Sequence, residues 1–355
     1  MKYNTRTAKL TILAVAAMML AGCAAQASAS PQKTIDLSGG TAASEVRLGY
    51  FANVTHAPAL AGLQEGILQK DLGSTKLQTQ VFNAGPATIE ALSAGAIDAA
   101  YIGPNPAINS FIQSHGQSLR IVAGATTGGA QLVVAKDITD PKQLKGKTLA
   151  TPQLGNTQDV ALRTWLKGQG YQTSTSGGGD VNITPTDNAQ TLTLFQQGKV
   201  DGAWLPEPWA SRLVAEGGHV LVDEASLWKD GKFPTTVLVV NADFLKKHPQ
   251  TVKALVKADV DSIAWLNDNK KDAAAVINAQ LKATTGKELK APVLARALQN
   301  VTFSANPQAQ TFQELVDHGL AAGTQKKGSI QGLFDLRLLN EVASAKVSAD
   351  GLGEQ

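Results

Sequence analysis

Apolar residues recur along this chain at two spacings, every second residue over short runs and every third or fourth over longer ones. "EVRLGYF" alternates, and predicts a strand from Glu45 to Tyr50. Pro58 suits the first turn of a helix, where amides lack intrahelical partners, and the helix is expected to run to about Gln69. "KLQTQVF" alternates again, "ATIEALSAGA" reads as a helix ended near Gly95, and "IDAAYIG" as the next strand. Pro104 opens another helix, followed by strands at "RIVAGA" and "AQLVVAK". After "FPTTVLVVN" the pattern changes. From Ala242 onward the period is helical, through "TVKALVKADVDSIAWLN", "KDAAAVINAQLKATTG" and "APVLARALQNV". The fold class expected is α/β, two lobes each with a mixed, mostly parallel sheet flanked by helices, and a helical C-terminal region.

Part of this pattern is written twice. Shifted by 103 residues, Thr88 meets Thr191, Leu92 meets Phe195, Gly95 meets Gly198, Asp98 meets Asp201 and Tyr101 meets Trp204. "GPNPA" and "PEPW" fall one residue out of step. Solenoid repeats have shorter periods, about 20 to 50 residues, so the echo fits two similar α/β domains. At 355 residues the chain is also long for one core. The strand at 236–241 is expected to return to the first sheet, which makes that lobe discontinuous: 45–132 plus 236–355, with 133–235 as the second lobe. Two strands crossing between lobes, near 130–136 and 232–240, would form a hinge.

Composition changes the picture mainly at the N-terminus. The formal charge is +3, and Lys2, Arg6 and Lys9 account for the excess, leaving the rest of the chain neutral. A nucleic-acid partner has no global electrostatic support. The basic start precedes the apolar run Leu10 to Leu20, too short for a stable span but suited to a signal peptide over 1–22. "LAGC" resembles the lipobox of bacterial lipoproteins, with Cys23, the single cysteine, as the lipid attachment site. A lipid would hold the protein at the extracytoplasmic face of a membrane without a spanning helix. Residues 23–44 are small and polar, the composition of a flexible tether.

In open α/β sheets, ligands bind beyond the carboxyl ends of strands, where helices begin. "NVTHAP", "GPNPA", "PQLGNTQD" and "PEPW" hold that position, and "GATTGG" with Thr126 adds a fifth edge. These loops expose backbone amides and small polar groups, and free amides at helix starts make neutral anion sites. One helix end contributes about 0.3–1 kcal/mol when exposed, so several must converge. Asn53, Thr55 and His56 form the densest polar group, with capping of a helix as their other role. Asn105 between two prolines, and Gly155, Asn156 and Thr157 from the opposite lobe, complete a candidate cradle. Trp209 offers an apolar wall. Glu207 either stabilises a first helical turn or faces the cleft. The sequence has no G-x-S-x-G elbow, P-loop, G-x-G-x-x-G or H-E-x-x-H. Neither catalysis, a cofactor nor a metal is expected.

"VRLGYFANVTHAPALAGLQEG", "NAGPATIEALSAGAIDAAYIGPNPAINSF" and "WLPEPWASRL" resemble solute-binding proteins of ABC transporters for sulfonates, nitrate and taurine. The resemblance runs over roughly 45–320 and implies a periplasmic-binding-protein fold of type II, working with a membrane permease and a cytoplasmic ATPase. It implies ligand contacts from Asn53, Thr55, His56, Pro104, Asn105, Gly155, Asn156, Thr157, Glu207 and Trp209. An aliphatic sulfonate is the leading ligand class, with taurine, nitrate, bicarbonate or a thiamine-precursor pyrimidine as alternatives. Glu207 would pair with His56 across the cleft or receive the ammonium of an aminosulfonate. A ligand-sensing lipoprotein that delivers no cargo is the rival role.

Overall fold

The computed structural model describes residues 34–353. The signal-peptide segment, Cys23 and the first part of the tether lie outside them. Among the described residues, eleven strands form two sheets. They are β1 (Glu45–Phe51), β2 (Lys76–Phe82), β3 (Ala99–Ile102), β4 (Leu119–Gly128), β5 (Ala130–Val134), β6 (Thr148–Thr151), β7 (Asn182–Pro185), β8 (Gly202–Pro206), β9 (His219–Asp223), β10 (Pro234–Asn241) and β11 (Val301–Phe303). The first sheet has the order β11-β4-β10-β3-β1-β2, the second β7-β6-β8-β5-β9.

Each sheet is mixed, for one reason. Strands joined by helices inside a sheet, β2-β1-β3 and β7-β6-β8, pair in parallel. Strands that arrive from or leave for the other sheet run against them, β10 on β3 and β4, and β5 on β8 and β9. The central strands β3, β5 and β8 are buried at every position, as expected where helices cover both faces.

Thirteen α-helices among the described residues surround the sheets. In the first lobe are α1 (Ala57–Gln64), α2 (Ile67–Leu72), α3 (Gly85–Ser93) and α4 (Pro104–Gln113). The second lobe adds α5 (Thr157–Gly168), α6 (Asn188–Gln196) and α7 (Trp209–Ala215). The C-terminal part holds α8 (Ala242–Lys247), α9 (Pro249–Asp268), α10 (Lys270–Thr285), α11 (Ala291–Gln299), α12 (Phe312–Ala321) and α13 (Arg337–Val342). None of the helices among the described residues is long and apolar enough to cross a membrane. The single helix expected from Pro58 to Gln69 is two: Gly66, left-handed at φ 71°, breaks it between α1 and α2.

The internal echo is visible in the bonding as well as in the topology. Asp98, just before β3, accepts the backbone N–H of Arg47 in β1 at 2.9 Å. Asp201, just before β8, accepts that of Thr148 in β6 at 2.8 Å. The paired aromatic residues that follow, Tyr101 and Trp204, are both fully buried. Each also gives its polar hydrogen to a buried acid, Tyr101 to Asp259 at 2.9 Å and Trp204 to Glu224 at 2.7 Å. Burying large aromatic surface favours both lobes, and each polar tip still finds a partner.

The chain changes sheets twice. It leaves the first at Gly128 and Gly129, with φ of 75° and 78°, and β5 begins one residue later. A Cβ on Gly128 would also stand 2.7 Å from the Asn300 carbonyl oxygen, so both backbone angle and space require glycine there. It returns between β9 and β10 through two short 3-10 turns, Glu224–Leu227 and Lys229–Gly231.

Candidate functional site

The carboxyl ends of β1, β3, β6 and β8 meet at one place between the sheets. There Asn53, Thr55, His56, Gly103, Asn156, Thr157 and Pro206 line one small cavity of about 20 Å³. Of the loops expected to converge, 53–56, 103–106, 155–157 and 206–209, each places at least one residue on this wall, the second and fourth only Gly103 and Pro206. The starts of α1 and α4 carry no side-chain cap, but Pro58, Pro104 and Pro106 have no N–H to offer and the Ala57 N–H donates to the Val54 carbonyl. Asn156 caps α5, its Oδ1 accepting from the Gln158 N–H at 3.1 Å, in agreement with the capping role its residue type favours.

His56 is buried against Phe51, the two rings 4.3 Å apart and stacked. Its Nδ1 accepts the Phe51 N–H at 3.3 Å, which leaves the hydrogen of the neutral ring on Nε2. Burial pushes its pKa down to about 3. The imidazole is thus a neutral donor, and no ionised side chain lines the cavity. The Thr157 hydroxyl, also on the wall, is buried without a hydrogen-bond partner, as is the Asn188 side-chain oxygen.

The lobes are in contact around this cavity. Trp209 Nε1 donates to Asn53 Oδ1 at 2.7 Å, and the Thr55 N–H to the Glu207 carbonyl at 3.3 Å. A Cβ on Gly103 would run into the Thr157 hydroxyl. Outside the contact lies an open cleft of about 480 Å³, with Trp209, Phe82, Val81, Leu281 and Leu289 among its walls.

Several expected contacts fall elsewhere. Glu207 is fully buried and lines neither space. Its Oε1 accepts from Arg296 Nη1 at 3.0 Å and Asn300 Nδ2 at 2.6 Å, and its Oε2 from the Ser211 N–H at 3.0 Å. Arg296, not His56, is therefore its ionic partner, and the carboxylate faces neither space. The reason is tertiary, because α11 arrives about ninety residues later in the chain. Asn105 turns away from the cavity, its Nδ2 donating to the Leu315 carbonyl at 3.2 Å while its Oδ1 is unpartnered. Pro104 and Thr126 are absent from the wall, and Gly155 gives its N–H to Asp159 Oδ2 at 2.9 Å beside the cavity. Trp209 faces the outer cleft.

Asn83, Asn188 and Thr235 are wall residues that sequence reasoning passed over. Asn83 follows β2 and precedes α3, the same strand-to-helix position as the loops that were singled out. Asn188 opens α6 after β7, a strand of four residues ending in proline with little alternation to reveal it. Thr235 belongs to the returning strand β10, where nothing local marks a site.

A profile of the NMT1-like family matches residues 39–281, well over half of the chain. A taurine-binding periplasmic protein of Escherichia coli (strain K12) is 28% identical over 205 residues, which cover 58% of this chain and 62% of that protein. A putative aliphatic sulfonates-binding protein of the same organism is 29% identical over 172 residues, 47% of this chain and 51% of the relative. Both matches span less than two thirds of the relative's length. Among solved structures, the alkanesulfonate-binding protein SsuA from Xanthomonas axonopodis pv. citri bound to MOPS superposes with a TM-score of 0.68 at 21% identity, covering 81% of this chain and 96% of that one. The architecture is that of periplasmic binding proteins, and the chain belongs to the NMT1-like family.

Proposed function

We propose that this protein is the extracytoplasmic solute-binding component of an ABC importer, and that it captures an aliphatic sulfonate between its lobes for delivery to a permease. The observation that carries this reading is the uncharged cradle where helix starts of both lobes converge. A sulfonate stays ionised at physiological pH and presents three acceptor oxygens. The Thr157 hydroxyl, unpartnered in the wall, and the His56 Nε2–H suit those oxygens without any proton exchange. The alkyl tail would lie along Val81, Phe82, Leu281 and Leu289 in the outer cleft.

The inner cavity of about 20 Å³ has room for about one water. Loading therefore requires the lobes to part, with Trp209 releasing Asn53, and closure restores that bond around the ligand. The glycine pair at 128–129 and the return segment before β10 are the places where such a motion would be absorbed. The corresponding lobes are the two sheets with their helices, near the expected divisions at 132/133 and 235/236.

Ligand that binds only the native state raises the melting temperature by mass action. Alkanesulfonates are expected to do so in a thermal-shift series that also holds taurine, nitrate, bicarbonate and a thiamine-precursor pyrimidine. A shift with the pyrimidine alone would reject the sulfonate assignment. Export and attachment through a lipid on Cys23 belong to the same proposal; a mature product that lacks lipid in mass spectrometry overturns the anchor.

A further inference from the structure

The outer cleft contains a charge that the cradle does not use. Arg212, in the second turn of α7, lies half-buried on the cleft wall with its guanidinium 4.5 Å from the centre of the Trp209 ring. It has no ion pair or side-chain hydrogen bond among the described residues. Burial pulls its pKa below the ordinary arginine value, and Glu216 only partly opposes this. Such a group has lost part of its hydration without gaining an acceptor, a state that favours an incoming anion.

The other charges around the cleft are accounted for. Asp187 caps α6, accepting from the Ala189 and Gln190 N–H groups at 2.9 and 3.4 Å. Glu288 pairs with Lys282 at 2.8 Å. Lys287, exposed on the same rim, adds a second cation without a carboxylate partner among the described residues. Capping leaves Asp187 its charge, so the mouth holds two cations, Arg212 and Lys287, against one carboxylate not in an ion pair among the described residues. Trp209 links the two spaces, because its indole N–H is bonded to Asn53 of the cradle while its ring carries Arg212.

We propose that Arg212 is a specificity-determining residue that selects a ligand with a second anionic group, such as a carboxylate, at the end remote from the sulfonate. This rests on the cradle holding the first anionic head. A short carbon chain starting beside Asn53 leads out past Trp209, where the flat guanidinium offers a paired set of N–H donors suited to a carboxylate. An ammonium at the same end would meet like charge instead, so an aminosulfonate is disfavoured.

Titration calorimetry with 3-sulfopropionate, propanesulfonate and 3-aminopropanesulfonate tests this on the whole mature protein. The expected order is 3-sulfopropionate, propanesulfonate, aminosulfonate, with the first preferred over the second by about tenfold or more. In Arg212→Gln that ratio should collapse toward one, and Arg212→Lys should restore part of it because the charge remains. An unchanged melting curve for Arg212→Gln confirms that the fold is intact. If the three ligands bind alike, or if Arg212→Gln weakens all three equally, the selective role is overturned while the cradle stands. If none of them binds, the cradle reading itself fails, and this one with it.

Discussion

Arg296 in α11 donates to the buried carboxylate of Glu207 at 3.0 Å, and the same guanidinium also reaches Ser211 at 2.8 Å and Gln131 at 2.6 Å. The C-terminal helices thus grip the second lobe through one fully desolvated acid, while β11, just beyond α11, adds a strand to the first sheet. A second contact joins the same parts, the Thr164 hydroxyl of α5 donating to the His318 carbonyl of α12 at 3.1 Å. A residue expected at the ligand instead fastens the body of the molecule.

Removing the cation should be more harmful than neutralising the acid. Arg296→Ala leaves a buried carboxylate uncompensated, at a cost of about 3–5 kcal/mol. Glu207→Gln keeps an acceptor for Asn300 and leaves Arg296, about a quarter exposed, able to reach water, so its loss should be smaller. Burial raises the Glu207 pKa, so a stabilising contribution is present at low pH and is lost as pH rises. The Arg296→Ala deficit should shrink on acidification. Urea melts of both variants read this, and two equal losses below about 1 kcal/mol would contradict it.

Closure should depend on the missing side chain of Gly103. Its φ of −69° and ψ of 153° suit alanine, so Gly103→Ala ought to fold normally. The added methyl would nevertheless meet the Thr157 hydroxyl and hold the lobes apart. Ligand affinity is expected to fall by about tenfold or more, a loss of about 1.4 kcal/mol. Small-angle scattering should show a larger radius with ligand present; a wild-type radius and affinity would reject the effect.

Binding should be independent of pH between about pH 5 and pH 8, because His56 is neutral throughout that range and a sulfonate does not titrate. Its effect on folding has a definite sign. A depressed imidazole pKa gives stability that is present above about 6.5 and fades as pH falls toward about 3. Calorimetry in two buffers of different ionisation enthalpy should detect no proton uptake on ligand binding, and uptake near one proton would refute the neutral donor.

Glu224 has the opposite dependence. Burial raises its pKa to about 8, although Trp204 Nε1 donates to it at 2.7 Å. The folded state then holds a proton that the unfolded chain releases above about 4.5, so this stability declines as pH rises toward about 8. Glu224→Gln should gain on the wild type across that interval. Parallel stability curves from pH 5 to pH 8 would show that no such proton is held.

Trp209→Phe keeps most of the apolar wall and deletes the donor to Asn53. One hydrogen bond of this kind contributes about 0.5–1.5 kcal/mol net, so affinity should fall about threefold to tenfold, chiefly through faster dissociation. Stopped-flow measurements of both rates would expose a change confined to association, which would exclude a role in keeping the lobes closed.

Short-range information made much of the architecture legible. Alternation marked β1 and β2, prolines marked the first turns of α1 and α4, and the 103-residue echo pointed to two related lobes. Strand-to-helix junctions also brought out Asn53, Thr55, His56, Asn156 and Thr157, because a βα unit places its loop at the end of the sheet by local geometry alone. Asn105 shares that junction, yet packing against α12 turned its amide toward Leu315.

The sequence by itself determined the elements, their α/β order and the end of each sheet where polar groups gather, since these follow from periods of two and 3.6 residues and from helix starts. Only the tertiary structure decided which charges meet. Arg296 stands on Glu207 because burial in a shared space selects partners by position and desolvation, and nothing in the distance along the chain specifies that pairing. Arg212 over Trp209 is the local counterpart, two residues three apart on α7 that share one helix face.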